Sequence, residues 1–246
     1  MTLRYIALGL DYDTYINSDN KLRYQFQSHT RFISNYFSRA IRRCKFDTKG
    51  VFNMISIALL PDNKLNPTKI TGIDVLKTYL PFDQKRYEQI KGTDDCSFYL
   101  EILEQGLIKA SEFKPLPLNI FLDLIEEFKK GDCKNEWMHK KRRFIEDDLE
   151  VVLTCEFNTN YFQLITIINQ LSTKKELVRG TVIKTEPDEV LFDKMFKDIY
   201  IDDNIIITDS SDSPRIIINK EKVLGRELHF EILGDKEIKK ILSYKL

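Results

Sequence analysis

The sequence has no glycine-rich phosphate cradle, no close cysteine pair and no long apolar run. Its 9 glycines form neither a Walker loop nor a GxGxxG fingerprint, which argues against nucleotide binding through a backbone nest. The 4 cysteines, Cys44, Cys96, Cys133 and Cys155, are widely spaced and make no CxxC. That spacing argues against a disulfide framework and fits a reducing compartment. The 3 histidines, His29, His139 and His229, form no HExxH or HxxxH, and the nearby Cys133 and His139 lack further ligands at zinc spacing. No metal and no cofactor is therefore expected. The first residues carry no basic stretch followed by an apolar run, so no signal peptide is expected. Apolar segments such as residues 54–60 are too short to span a bilayer. The expected location is the cytoplasm, with no membrane partner. Formal net charge is +0, which removes any whole-molecule field that would gather nucleic acid or anionic lipid.

What is present is a dense ionic surface over an ordinary core. Charged residues make up 31% and hydrophobic residues 42% of 246 residues, enough to fold without staples as one large domain or two intimate halves. Lys, Ile, Asn and Asp are abundant, the composition of an AT-rich bacterial genome. The pattern predicts a single α+β domain over residues 1–246, with a helix-rich part (1–133) and a sheet-rich part (134–246) meeting at a composition shift near Gly131. Residues 3–10 and 51–60 read as buried strands. Helical spacing of apolar residues predicts helices over residues 30–44, 82–91, 95–110 and 118–130, with Ser28 or Thr30 capping the first and Gly131 taking a left-handed cap after the last. Beyond Gly131 the period becomes two. Residues 149–157, 161–169 and 177–185 read as strands whose short links force antiparallel pairing. Residues 137–145 carry charge on both faces, which places them at an edge. A helix over 189–199, a hairpin of 205–208 with 215–219, a strand over 228–233 and a terminal helix capped by Asp235 complete the antiparallel half.

Four groups of residues are candidates for chemistry. Asp11-Tyr12-Asp13-Thr14, directly after the first strand, resembles the first motif of the haloacid dehalogenase-like phosphatases. That resemblance implies Asp11 as nucleophile and Asp13 as general acid, acting with a divalent ion. The family's later motifs have no counterpart here, and an ordinary polar loop explains the tetrad as well. Pro61-Asp62 with Asp83-Gln84-Lys85 resembles the Pro-Asp…(Asp/Glu)-x-Lys pattern of a nuclease group, although Pro-Asp-Asn also makes turns and Asp83 can cap a helix. A basic cluster, Lys140, Lys141, Arg142 and Arg143 beside Trp137 and Phe144, could contact nucleic-acid phosphates together with Arg39, Arg42 and Arg43. The opposite bias holds Glu186, Asp188, Asp198, Asp202, Asp203, Asp209 and Asp212, which as one surface would steer a basic partner.

In size, cytosolic character and lack of a whole catalytic motif, the chain resembles the bacterial immunity proteins that neutralise a toxin; the resemblance is of type and carries no motif. It implies a non-enzymatic inhibitor whose acidic stretch covers the basic cleft of a protein toxin. The alternatives are a metal-dependent phosphatase or nuclease built on Asp11 and Asp13, and a nucleic-acid-binding accessory protein built on the two basic clusters.

Overall fold

The computed structural model describes residues 1–61, 66–244 and 246. The chain divides into two compact units, Met1–Lys134 and Asn135–Leu246, close to the composition shift at Gly131. Helices and antiparallel sheet share the chain, and the second unit is mostly antiparallel strands, an α+β architecture.

The first unit contains a sheet that the apolar pattern alone did not reveal. Strands β1 (Tyr5–Leu10), β2 (Met54–Leu60) and β4 (Val75–Pro81) run parallel, and β3 (Lys69–Thr71) pairs antiparallel with β4, in the order β1-β2-β4-β3. The crossover from β1 to β2 carries a short helix, α1 (Tyr12–Tyr15), and a long one, α2 (Asn20–Cys44). The long helix begins ten positions before the predicted start at residue 30, because Asp19 rather than Ser28 or Thr30 caps it: the Asp19 carboxylate accepts from Leu22 N–H at 2.9 Å. Leu22 and Phe26 then extend the buried stripe of Ile33, Phe37 and Ile41 backwards at helical spacing.

Thr30 has a different task. It belongs to a ladder of hydroxyls, Thr30, Ser34 and Ser38, spaced four apart and so on one helical face. This face lies along the free edge of β1. Ser38 Oγ accepts from Ile6 N–H at 2.9 Å and faces Ile6 C=O at 3.3 Å, Ser34 Oγ accepts from Leu8 N–H at 3.3 Å, and Thr30 donates to Leu8 C=O at 2.9 Å. The outward backbone groups of an edge strand are thus satisfied by side chains, which a buried edge requires.

Helices α3 (Gln84–Ile90), α4 (Ser97–Phe113) and α5 (Leu118–Lys130) follow β4. A Cβ on Gly106 would lie 2.6 Å from Ile57, so glycine is what lets α4 approach β2. After α5 the left-handed turn falls on Asp132 (φ 54) and Cys133 (φ 55), while Gly131 keeps φ −86. That turn brings Cys133 to Cys96 at the start of α4, and the two form a disulfide across 37 residues; Cys44 and Cys155 are free. The argument against a disulfide from spacing does not hold for this pair, because residues distant in sequence meet at adjacent helix ends.

The second unit holds two 4-stranded antiparallel sheets. The first is a meander of β5 (Asn135–Phe144), β6 (Leu149–Phe157), β7 (Phe162–Gln170) and β8 (Glu176–Thr185), with β5 at an edge. Its inner face buries Leu149, Val151, Leu153, Cys155 and Phe157 of β6 and Phe162, Leu164, Thr166 and Ile168 of β7. Helix α6 (Glu189–Phe192) lies on this face, with Phe192 stacked on Phe162 at 3.5 Å between ring centres. The second sheet has the order β12-β11-β10-β9, from β9 (Asp198–Ile201), β10 (Ile205–Thr208), β11 (Pro214–Ile218) and β12 (Phe230–Ile232). The predicted helix over 189–199 therefore stops at Phe192. Ile199 and Ile201 instead pair with Ile207 and Ile205, where β-branched side chains bury on a pleated surface. Helices α7 (Lys220–Leu224) and α8 (Lys236–Leu242) close the unit, α8 capped by Asp235 accepting from Ile238 N–H at 2.8 Å.

Candidate functional site

Asp11 lies at the carboxyl end of β1 and is 4% exposed. Both of its oxygens are engaged by its own chain. Oδ2 accepts from Thr14 N–H at 3.1 Å and Thr14 Oγ1 at 2.9 Å, capping α1, and Oδ1 accepts from the Lys77 ammonium at 2.6 Å. Burial opposes the charge on Asp11, but the bonds from Lys77 and Thr14 outweigh it and hold the carboxyl below its ordinary range. Lys77 is shifted the opposite way: burial works against its charge, and the hydrogen bond and charge of Asp11 prevail. This is an internal ion pair with a cap. Asp13 is exposed. Lys77 had no signal in the sequence, because it reaches Asp11 from two strands away in the sheet.

Of the nuclease-like pattern, Asp62 lies outside the described residues. Asp83 caps α3, accepting from Arg86 N–H at 3.0 Å. Among the described residues no group of three or more His, Cys, Asp or Glu is placed to hold a metal ion, and no helix is long and apolar enough to cross a membrane.

The two oppositely charged stretches meet in the second unit. Four consecutive cations of β5 alternate across the strand, as a period of two dictates. Lys141 and Arg143 project to the outer face, where both reach Glu150 of β6 at 2.8 Å. Lys140 and Arg142 project the other way, to Asp198 at the start of β9, at 3.3 Å and 2.6 Å. The bonds from Arg142 lead in holding the Asp198 carboxyl far below its ordinary range, and Lys141 and Arg143 do the same for Glu150 more mildly.

The acidic stretch is spread along a hairpin and partly engaged in the fold. Asp202 and Asp203 occupy the β9–β10 turn, exposed, whereas Asp198, Asp209 and Asp212 lie at the other end of that hairpin, about 10 Å away along four-residue strands. Asp209 is buried and accepts from Ser211 N–H, Ser213 N–H and Arg215, organising the β10–β11 turn. Asp212 pairs with Lys197 at 2.9 Å, and Asp188 caps α6. Glu186 is exposed after β8. In the first unit, Arg39 bonds Asn35, and Arg42 bonds Ser38 C=O and lies over the Tyr5 ring; Arg43 is on the same exposed turn.

The outer face of the β5–β8 sheet combines an apolar centre with a charged rim. Register aligns its rows. Lys141, Val152, Ile167 and Arg179 form one row, and Met138, Thr154, Ile165 and Thr181 the next. Val152, Ile165 and Ile167 are half-buried, and Met138 is 63% exposed. Around this apolar centre the rim charges are held in place, Arg143 on Glu150 and Arg179 on Glu176 at 2.8 Å. At one end two carboxylates stand opposite each other, Glu136 and Glu156, with Gln163 next in the row. Like charges directly across a sheet are destabilising. Tyr161 OH and Gln163 Nε2 bond Glu156 at 2.7 Å and 2.6 Å, which fixes its position without cancelling its charge. The alternation in residues 149–169 marked these outward residues as polar-side, and their apolar share went unread as a surface.

Comparison with protein families, with curated proteins and with solved structures finds no match to this chain.

Proposed function

We propose that the protein is a non-enzymatic binding protein, an inhibitor of the bacterial immunity-protein kind that acts by covering a basic protein toxin. Its docking surface is the outer face of the β5–β8 sheet. The observation that carries this reading is the apolar centre of Val152, Ile165 and Ile167 inside a rim of ion pairs, with Glu136 and Glu156 facing each other at one end. An apolar core with a polar rim is the anatomy of a specific interface. The two facing carboxylates select a partner that brings an arginine or lysine to that end, flanked by an apolar ridge. The clustered acids near the β9–β10 hairpin, being partly engaged in the fold, play a lesser part than their number implies.

The alternatives have less support. Asp11 is tied into the fold by Lys77 and Thr14, which supports a structural role for it. Phosphate binding by residues 140–143 competes with Glu150 and Asp198, which already hold those cations.

The test is recovery of the partner from the native cells with tagged full-length protein, followed by titration of the purified pair. Wild type binds a basic protein stoichiometrically and suppresses its toxicity on co-expression, and Ile165→Glu with Ile167→Glu weakens binding by at least about a hundredfold. Absence of any stoichiometric partner, or full binding by the double variant, overturns the proposal.

A further inference from the structure

The first unit contains a second site, unrelated to the sheet face described above. One face of its parallel sheet is floored by small residues. Ala7, Ser56 and Lys77 share a row across β1, β2 and β4, and Gly9, Ala58 and Tyr79 share the next. Above this floor lies a cleft of about 160 Å³, walled by Arg23 and Gln27 of α2 and by Lys77, and reaching Asp11 and Tyr12 at the carboxyl end of β1. Nothing lies within 4 Å of where a Gly9 Cβ would stand, so the glycine leaves open space there. In open sheets with parallel strands, ligands settle near the carboxyl ends of the strands.

The polar groups that reach the cleft open to solvent there. Arg23 is only 9% exposed. Its Nε donates to Asn20 at 2.9 Å, and its guanidinium lies 4.3 Å from the centre of the Tyr24 ring and 5.1 Å from that of Tyr12. The plane of the group is therefore held, yet its two terminal nitrogens meet no acceptor among the described residues. The Ser56 hydroxyl and the Gln27 amide, which line the same cleft, likewise have no partner among the described residues. Lys77 uses one of its three donors on Asp11. A guanidinium whose plane is fixed while its fork opens into a cleft is preorganised to take an acceptor there.

We propose that this cleft binds a small monocarboxylate. Arg23 takes the two carboxylate oxygens on its terminal nitrogens, a planar match that a fork provides and a lone ammonium does not. Ser56 and Gln27 address a polar substituent, and Ala7 and Gly9 receive the short carbon skeleton. Charge favours a monoanion over a phosphate dianion: Arg23 and Lys77 attract an anion, but Asp11 lines the cleft and Asp13 lies close enough to act on Lys77, which penalises a second negative charge.

The experiment is ligand-observed NMR and titration calorimetry of the full chain with acetate, lactate and pyruvate, and with inorganic phosphate in a separate arm. At least one of the acids binds with a dissociation constant of about 1 mM or tighter. Arg23→Lys keeps the charge and loses the fork, weakening that acid by at least about tenfold. A Cβ at Gly9 meets nothing within 4 Å, so Gly9→Val extends into the cleft and is expected to abolish binding, with its urea unfolding curve measured beside wild type to verify the fold. The proposal is overturned if none of the acids binds, if phosphate binds more tightly than all three, or if Arg23→Lys and Gly9→Val bind as wild type does.

Discussion

Strands β1 and β5 each end a four-stranded sheet, and the two edges are guarded by different chemistry. At β1 the outward N–H and C=O groups of Ile6 and Leu8 meet Thr30, Ser34 and Ser38 in a buried seam. At β5 the guard is a run of four cations and an irregularity in pairing between Met138 and Lys140. The first device satisfies specific backbone groups and excludes water; the second stays wet and discourages pairing with another strand. A guard of the first kind is costly to lose, because each lost hydroxyl leaves a buried backbone group unpaired. A guard of the second kind is cheap, because water replaces what is removed.

The largest effect should follow from removing the hydroxyl seam. Replacing Thr30, Ser34 and Ser38 together by alanine is expected to lower stability by about 4 kcal/mol in urea unfolding, with loss of hydrogen-exchange protection at Ile6 and Leu8. Next comes the buried pair at the end of the same strand. Asp11→Ala leaves Lys77 without its partner and uncaps α1, an expected loss of about 3 kcal/mol, whereas a structural Asp11 predicts no accompanying loss of any hydrolytic activity. The smallest effect belongs to the charged edge: Lys140→Ser with Arg142→Ser should shift the urea midpoint least of the three, and less still in high salt. A large loss there, or a small one at the seam, would erase the contrast.

Acid sharpens the same comparison. Asp198 and Glu150 have lowered values in the folded chain, so the stability they lend is present above about pH 4 and is lost as acid drives them through those folded values. Exchange protection along β5 should fall in that window. The hydroxyl seam titrates nowhere near it, so Ile6 and Leu8 should keep their protection until the unit as a whole unfolds. Asp11 is lowered as well and contributes to that later loss with the same sign.

These contrasts also explain what could be read beforehand. The meander of residues 149–185 was legible because one buried face imposes strict alternation, and the span 118–130 because its apolar spacing and terminal lysines agree. The parallel sheet was not. Its central strand, Met54–Leu60, is a nearly unbroken apolar run with no face pattern to show its neighbours. Thr30, Ser34 and Ser38 were visible at fourfold spacing but look like any polar helix face until β1 lies beside them. The charged stretches were visible as composition, while their mutual neutralisation depends on β9 coming to the edge of β5, a contact 56 residues apart at Arg142 and Asp198. Arg23 and Lys77 escaped notice for the same reason: the cleft they share exists only once α2 and β4 flank β1 and β2.

The most direct test sets the sheet face against the acidic turn. Partner affinity should be measured for Ile165→Glu with Ile167→Glu and, in parallel, for Asp202→Asn with Asp203→Asn. Recognition through the apolar centre predicts a loss of at least about a hundredfold for the first pair and less than about threefold for the second. A collapse of binding in the Asp202 and Asp203 variant with the isoleucine variant intact would contradict it.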